Sequence, residues 1–289
     1  MDLSRACRVR THDDGLNAWE MARMAPTPAL QGVVTAYADY AERTGGFTTR
    51  RELPHSEGVL IVNLGPPIAI TGGDGGVISL GAGEAFAGGP HLRAALSRST
   101  GAQAGVHVFL PLETLRRLIG APMSDLVDRV APLDALLGAE ARALGARLCE
   151  APDREARARV LDVALARRLE RSASLDSRLT YALTALRARP DQDIAEIAAD
   201  IGWSCKHLRT RVKDAVGVGP RSYRRLVRFE GLTRGIARAG GAPNWSALAL
   251  DAGYFDQAHM IREFREFSGL TPGSYLARSL PGGGGLLEA

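Results

Sequence analysis

Cysteine is scarce in this 289-residue chain. Cys7, Cys149 and Cys205 form an odd, widely spaced set, which excludes a disulfide framework and a CxxC metal site. Lysine is scarcer still, with Lys206 and Lys213 standing against 34 arginines. No apolar run approaches the roughly 18 residues that a membrane span needs. The longest candidate, Val59 to Ile70, covers 12 residues and holds Asn63, Gly65 and a proline pair. Arg5, Arg8 and Arg10 have no apolar stretch behind them, so the start of the chain does not read as a secretory leader. GxSxG, HExxH and P-loop motifs are all missing, which removes the commonest signatures of hydrolytic, metalloprotease and nucleotide chemistry. What is present is 45 % hydrophobic and 24 % charged residues at a mean hydropathy of -0.07. That is enough apolar material for a core, and at roughly 150 residues per domain the length suggests about two domains. A soluble protein of a reducing cytoplasm, associated with the nucleoid if it binds DNA, is the expectation.

Charge is uneven along the chain. Up to Leu175 basic and acidic residues balance at 20 each, and beyond it they stand at 16 against 12. The surplus concentrates between Ser204 and Arg228, where eight basic side chains face the single acid Asp214. Such a patch attracts a polyanion; it is also what a solvated helix face looks like in an arginine-rich chain.

The pattern is α+β. Residues 1–135 are rich in glycine and β-formers, with short apolar runs at Val33–Tyr37, Val59–Val62, Ile68–Ile70, Val77–Leu80 and Val106–Leu110. Turn signals such as Thr44-Gly45-Gly46 and Gly65-Pro66-Pro67 separate them, which predicts a small antiparallel sheet or barrel. Leu112, Leu115, Leu118 and Ile119 have helical spacing, and so do the apolar residues among the arginines of Arg154 to Arg171. Residues 136–175 therefore read as a helical connector that covers the sheet or pairs with a second copy. Residues 176–280 are helical throughout, and 281–289 read as a flexible, glycine-rich tail.

An internal repeat carries the functional argument. Asp193, Ile194, Ile197, Ala198, Gly202 and Trp203 recur 51 residues later as Asn244, Trp245, Leu248, Ala249, Gly253 and Tyr254. Leu208, Val212, Gly217, Pro220 and Tyr223 recur at an offset of 52 as Met260, Phe264, Gly269, Pro272 and Tyr275. Each copy reads as a capped short helix, a glycine turn, and a second helix capped by Ser204 or Asp256 and closed by glycine. That is a helix-turn-helix, whose second helix enters the DNA major groove. Between the copies, Tyr223, Leu226, Phe229, Leu232 and Ile236 keep helical spacing from Pro220 to Arg238. Nineteen residues make a rod of about 28 Å, against about 34 Å between successive major grooves.

These residues resemble the DNA-binding domain of the AraC/XylS transcription regulators over about 100 residues, Asp176 to Ala277. The strongest stretch runs from Gly253-Tyr254-Phe255-Asp256-Gln257-Ala258-His259-Met260 through Phe264 and Gly269 to Thr271-Pro272-Gly273-Ser274-Tyr275. The first copy departs at Thr210, where the family often has Arg, and at Val212, where Phe is usual. The resemblance implies base contacts at Lys206, Arg209 and Thr210, and at the matching Gln257, Ala258, Ile261 and Arg262. Ser204 and Lys213 join the DNA-facing set, and Arg221, Arg224 and Arg225 are expected on phosphates. His207 and His259 read as structural or phosphate-facing. Cys205, at the positive end of a reading helix, is a redox switch or a passive residue.

Members of that family usually carry a second, effector-binding or dimerising domain. Here Leu53-Pro54-His55 leading to Leu60-Ile61-Val62-Asn63-Leu64-Gly65 resembles an uncharacterised N-terminal domain of some members. His55, Asn63, His91 and His107 are the polar residues expected to line a small-molecule pocket. They lack the tight HxH pair of a metal-binding barrel, and no cofactor is expected. Expected partners are operator DNA, RNA polymerase, a small-molecule effector and a second copy joined through the helices between Leu136 and Leu175; a membrane is not among them. The chain is not expected to be an enzyme. Two alternatives stand beside a ligand-controlled regulator. A fused DNA-repair alkyl transferase needs a zinc-held cysteine cluster, which Cys7 alone cannot supply. An effector-independent DNA-binding protein would have no pocket in its sheet domain.

Overall fold

The computed structural model describes residues 5–45, 48–189, 192–239, 243–281 and 285–288. Gly46 of the expected turn and residues 282–284 and 289 of the expected tail lie outside them. The strands are β1 (Cys7–Asp13), β2 (Asn17–Met24), β3 (Ala36–Thr44), β4 (Thr49–Glu52), β5 (Glu57–Asn63), β6 (Ile68–Thr71), β7 (Val77–Leu80), β8 (Ala85–Gly88), β9 (Ala95–Arg98), β10 (Ala102–Pro111) and β11 (Val130–Pro132). The helices are α1 (Leu112–Ile119), α2 (Leu133–Leu137), α3 (Ala139–Glu150), α4 (Arg154–Glu170), α5 (Ser177–Ala188), α6 (Ile194–Asp200), α7 (Cys205–Val216), α8 (Pro220–Ala239), α9 (Trp245–Asp251), α10 (Gln257–Ser268) and α11 (Pro272–Arg278).

Two antiparallel sheets face each other. One is ordered β1-β2-β3-β10-β5-β8-β11 and the other β4-β9-β6-β7. The long central strand β10 shows how one sequence serves two faces. Val106, Val108 and Leu110 are fully buried towards the helices, beside Leu60 and Val62 of β5. The alternate residues His107 and Phe109, opposite Ile61 and Val59, face the smaller sheet. The two faces are filled differently. On the helix side one apolar cluster runs continuously from Met24 to Phe267, through α1, α4, α5 and α8. Between the sheets the cluster is small, with Ile68, Ile70, Leu80 and Phe86 at its centre, and a cavity remains.

The helices expected as a connector pack on the larger sheet. Ala158, Leu161, Leu165 and Leu169 of α4 are buried in the main core. The α4 carboxylate Asp162, 6 % exposed, accepts hydrogen bonds from Tyr37 Oη at 2.8 Å and from the Thr27 N–H at 3.2 Å. Most of the apolar residues that suggested pairing with a second copy are thus covered within this chain, while Val163 is 41 % exposed. The tail also has a place: Leu287 bridges Arg50, the Arg51 N–H donates to the Leu286 carbonyl at 2.9 Å, and Leu286 is buried. Residues 285–288, expected to be flexible, therefore lie along β4. The charged hairpin β1–β2 gave no sequence signal, because its edge strand β1 is almost wholly exposed and has no apolar alternation to read.

Candidate nucleic-acid interface

The repeat in sequence is a repeat in space. Asp193 and Asn244 cap α6 and α9 by accepting from the N–H groups of Ala195 (2.9 Å) and Ala247 (3.1 Å). The chain turns at Gly202 and Gly253, whose φ angles of 67° and 79° suit a residue without a Cβ. Ser204 then caps α7 through the His207 N–H at 3.2 Å, and Asp256 caps α10 through the His259 N–H at 2.6 Å. Each of these second helices buries two apolar residues four apart, Leu208 with Val212 and Met260 with Phe264.

The outward faces follow from that burial. On α7 and its cap, Ser204, Lys206, Arg209, Thr210 and Lys213 are exposed. On α10, Gln257, Ala258 and Arg262 are exposed and Ile261 is half-buried. Phe255, in the turn before α10, is 86 % exposed; sequence reasoning passed over it as part of a motif. The 20 residues of α8 join the two units, a length of about 30 Å.

The arginines of α8 divide. Arg221 is exposed. Arg224 donates to the Gln192 carbonyl at 2.7 Å, and Arg225 pairs with Glu263 at 2.7 Å and also with Glu266. This differs from the expectation of free phosphate contacts: the guanidinium of Arg225 braces α8 against α10. Arg228 completes the brace, donating to Glu263 at 2.7 Å. Burial alone would raise the Glu263 carboxyl, but the hydrogen bonds from Arg228 and Arg225 outweigh it and hold the group below its usual range. The sequence signal for this brace was available, since Arg225 and Arg228 lie three apart on one helix face.

The sheet half is joined to these helices by polar contacts. Glu113 of α1 receives Arg187 of α5 at 2.6 Å, and the same guanidinium donates to Tyr223 Oη of α8 at 2.6 Å. Arg116 of α1 pairs with Asp214 of α7 at 2.9 Å. Ser56 donates to Glu230 of α8 through its N–H (3.1 Å) and its hydroxyl (2.6 Å). Arg51 donates to the Ser268 carbonyl at the end of α10 at 3.0 Å and holds Glu288 with a two-pronged contact.

The cavity between the sheets measures about 370 Å³. Its lining includes Trp19, Tyr40, Phe86 and Phe109, and among the expected residues His55, His91 and His107. Asn63 is not there. Its amide, fully buried, donates to the carbonyls of Gly65, Pro66 and Leu80, so it holds a turn instead of facing a ligand. Burial pushes His55 and His91 below the usual imidazole range and His107 down to about 3. His91 Nδ1 lies 2.9 Å from the Gly89 carbonyl, and the His107 ring stacks on Phe109 at 3.7 Å.

Residues 202–278 match the family described as a helix-turn-helix domain, and the C-terminal region carries such a domain of the AraC type, a DNA-binding module of transcription regulators. Among solved structures the chain is similar to ToxT from Vibrio cholerae, at 10 % identity and a TM-score of 0.50, with 95 % of this chain and 98 % of that one covered; the likeness is one of fold. It is similar to the same protein bound to an unsaturated fatty acid, at 10 % identity and a TM-score of 0.47, covering 79 % and 93 %. A transcriptional regulator with an AraC-type DNA-binding domain from Chromobacterium violaceum aligns at 21 % identity and a TM-score of 0.33, covering 37 % of this chain and 96 % of that one. No curated protein matches the chain.

Proposed function

We propose that the protein is a sequence-specific transcription regulator of the cytoplasm that reads operator DNA with α7 and α10 in successive major grooves and is controlled by a small molecule in the inter-sheet cavity. The observation that supports it most is the doubled unit itself: two capped helices, each burying one face and offering the other, on a single helical spacer. In this reading Lys206, Arg209 and Thr210 meet bases in one groove, and Gln257, Ala258, Ile261 and Arg262 in the next. Arg or Lys pairs with guanine and Gln with adenine, while Ala and Ile suit the thymine methyl. Ser204, Lys213 and Arg221 contact phosphates, with Arg224 as a further phosphate contact only where it leaves the Gln192 carbonyl. RNA polymerase is the partner through which such binding changes transcription.

Control runs through residues 50–56. Arg50, Glu52, Leu53 and His55 line the cavity, while Arg51 and Ser56, between and beside them, hold α10 and α8. A ligand that shifts this segment shifts its two attachments to the reading half.

The test is selection of bound sequences from a random duplex pool by the full chain, followed by titration of the selected duplex across salt concentrations. Two short elements one helical turn apart, with affinity falling steeply in salt, are expected. A single element, or none, would sink the two-reader reading.

A further inference from the structure

We infer that the inter-sheet cavity takes an uncharged, ring-bearing molecule that both donates and accepts a hydrogen bond, and that it rejects anions. This rests on the reading of the cavity as the control site.

Size and wall set the first limit. A space of about 370 Å³ walled by Trp19, Phe86 and Phe109 holds a ligand of two or three rings. Flat aromatic walls favour flat partners, which stack or meet them edge-on.

Charge sets the second. Among the described residues that line the cavity, Arg50 is the one guanidinium, and it is paired with Glu42, itself on the wall. Glu52 adds a further carboxylate, which accepts from Ser97 Oγ at 2.7 Å. The three histidines bring no positive charge at neutral pH, since burial lowers each of them. An incoming carboxylate would lose its hydration and meet carboxylates on a lining whose one guanidinium is already paired, while Arg23, over the Phe109 ring, is exposed to solvent. An uncharged ligand avoids that penalty.

Hydrogen bonding sets the third. Trp19 Nε1, an obligate donor, is buried without a partner. His91 Nε2 is also buried without a partner. Because Nδ1 of that ring faces the Gly89 carbonyl, Nδ1 carries the proton and Nε2 is the acceptor. His107 Nε2, on the same lining, is buried without a partner as well, so the cavity offers orphan polar atoms at several points of its wall and asks for a ligand with a polar group that can donate or accept, such as a ring hydroxyl. Buried polar atoms left unmet are costly, so such a ligand gains where a pure hydrocarbon does not.

The full chain is titrated with four probes of one skeleton: 2-naphthol, 2-naphthoate, 2-naphthylmethylamine and naphthalene. Binding is read by calorimetry and by the thermal midpoint. 2-Naphthol is expected to bind at least tenfold more tightly than either charged probe. His91→Phe should weaken 2-naphthol at least fivefold and leave naphthalene unchanged; the naphthalene arm shows that the variant has kept its cavity. Trp19→Phe is the second variant, with the same expectation, should His91→Phe not fold. Equal or tighter binding of the naphthoate or the amine overturns the assignment, as does failure of 2-naphthol to bind. The selected duplex separates the two proposals. If 2-naphthol binds as described and DNA affinity does not move, the ligand class stands and the control reading fails.

Discussion

Behind the first reading helix, α7, stands the sheet half of the molecule. Asp214 on its last turns pairs with Arg116 of α1, and its closing residue Gly217 lies against the Met123 carbonyl and the Pro90 ring. Behind α10 stand the linker helix and the Glu263 brace, with Arg51 reaching its final carbonyl from the sheet half. Two copies of one sequence pattern thus have different supports. In the described residues, α7 packs into the sheet half through backbone and core, whereas α10 hangs from α8 and meets the sheet half through the long side chain of Arg51. A disturbance in the sensor should accordingly reach the first reader by direct contact and the second by way of Arg51 and α8.

The matched glycines break this comparison most forcefully. Gly217 and Gly269 both hold left-handed backbone, with φ of 81° and 72°. A Cβ at Gly217 would lie 2.6 Å from the Met123 oxygen and 2.9 Å from Pro90 Cγ, whereas at Gly269 it would meet Arg51 Nη1 at 3.1 Å. Gly217→Ala therefore combines the left-handed penalty of about 1–2 kcal/mol with an overpacking term of about 1–3 kcal/mol. Gly269→Ala carries the first alone, because a guanidinium can move aside. Urea denaturation should show a loss of about 3 kcal/mol for the first variant and about half that for the second; equal losses would mean that the two helices are supported alike.

Glu263→Ala attacks the second support. Removing a buried carboxylate leaves Arg225 and Arg228 facing each other, and a broken buried pair of this kind is worth about 3–5 kcal/mol. Both guanidiniums are partly exposed, so about 2 kcal/mol is the expectation here. Hydrogen exchange should show α10 losing protection before α7. Uniform loss along both helices would place the brace at the centre of the whole reading half instead.

The contrast between the readers explains what the sequence could and could not disclose. Caps, glycine turns and the pairs Leu208–Val212 and Met260–Phe264 are local, since each depends on residues within a few positions, and all were legible. The sheet was legible where strands alternate apolar and polar residues or run apolar, as at Val59–Val62 and Val106–Leu110. It was not legible at β1, β4 and β9, where short or exposed strands carry Arg, Thr and Ser. His55, His91 and His107 stood out by residue type, and their convergence on one cavity depends on β10 crossing the sheet between β3 and β5. Asn63 had the same chemical promise, but its place at a strand end gave it three carbonyls to satisfy. Arg225 and Arg228 share a helix face that the sequence shows, but their partner Glu263, like the partners of Arg51 and Ser56, is distant in sequence and linked by no local pattern.

DNA contacts give a smaller and more selective effect. Arg209→Ala should relax base preference at the first half-site by roughly tenfold, about 1.4 kcal/mol, and leave the second half-site unchanged. Arg262→Ala should do the reverse. Arg221→Ala should weaken all duplexes alike and lower the slope of log affinity against log salt by about one. Competition with half-site-mutated duplexes reads the first two, and a salt series the third. Loss of preference at both half-sites from either substitution would argue against independent readers.

The smallest expected effect comes from pH, and it probes the sensor side alone. His107 sits on the cavity wall beside His55 and Arg23, and burial with these two neighbours lowers it to about 3, against about 6.5 in an unfolded chain. Between those values the unfolded chain binds the proton and the folded one does not. The stability that the neutral ring contributes is therefore complete above pH 6.5 and declines as pH falls towards the folded value. Between pH 7.5 and pH 6.0 the decline is about 1 kcal/mol from this group. His55 and His91, lowered for the same reason, act in the same direction. His107→Asn should flatten the thermal midpoint against pH over this window. Because the first reader rests on the sensor, its half-site preference should weaken at pH 6.0 in the unaltered protein while that of the second holds. If both weaken together, Arg51 and α8 couple the second reader to the sensor as firmly as α1 couples the first.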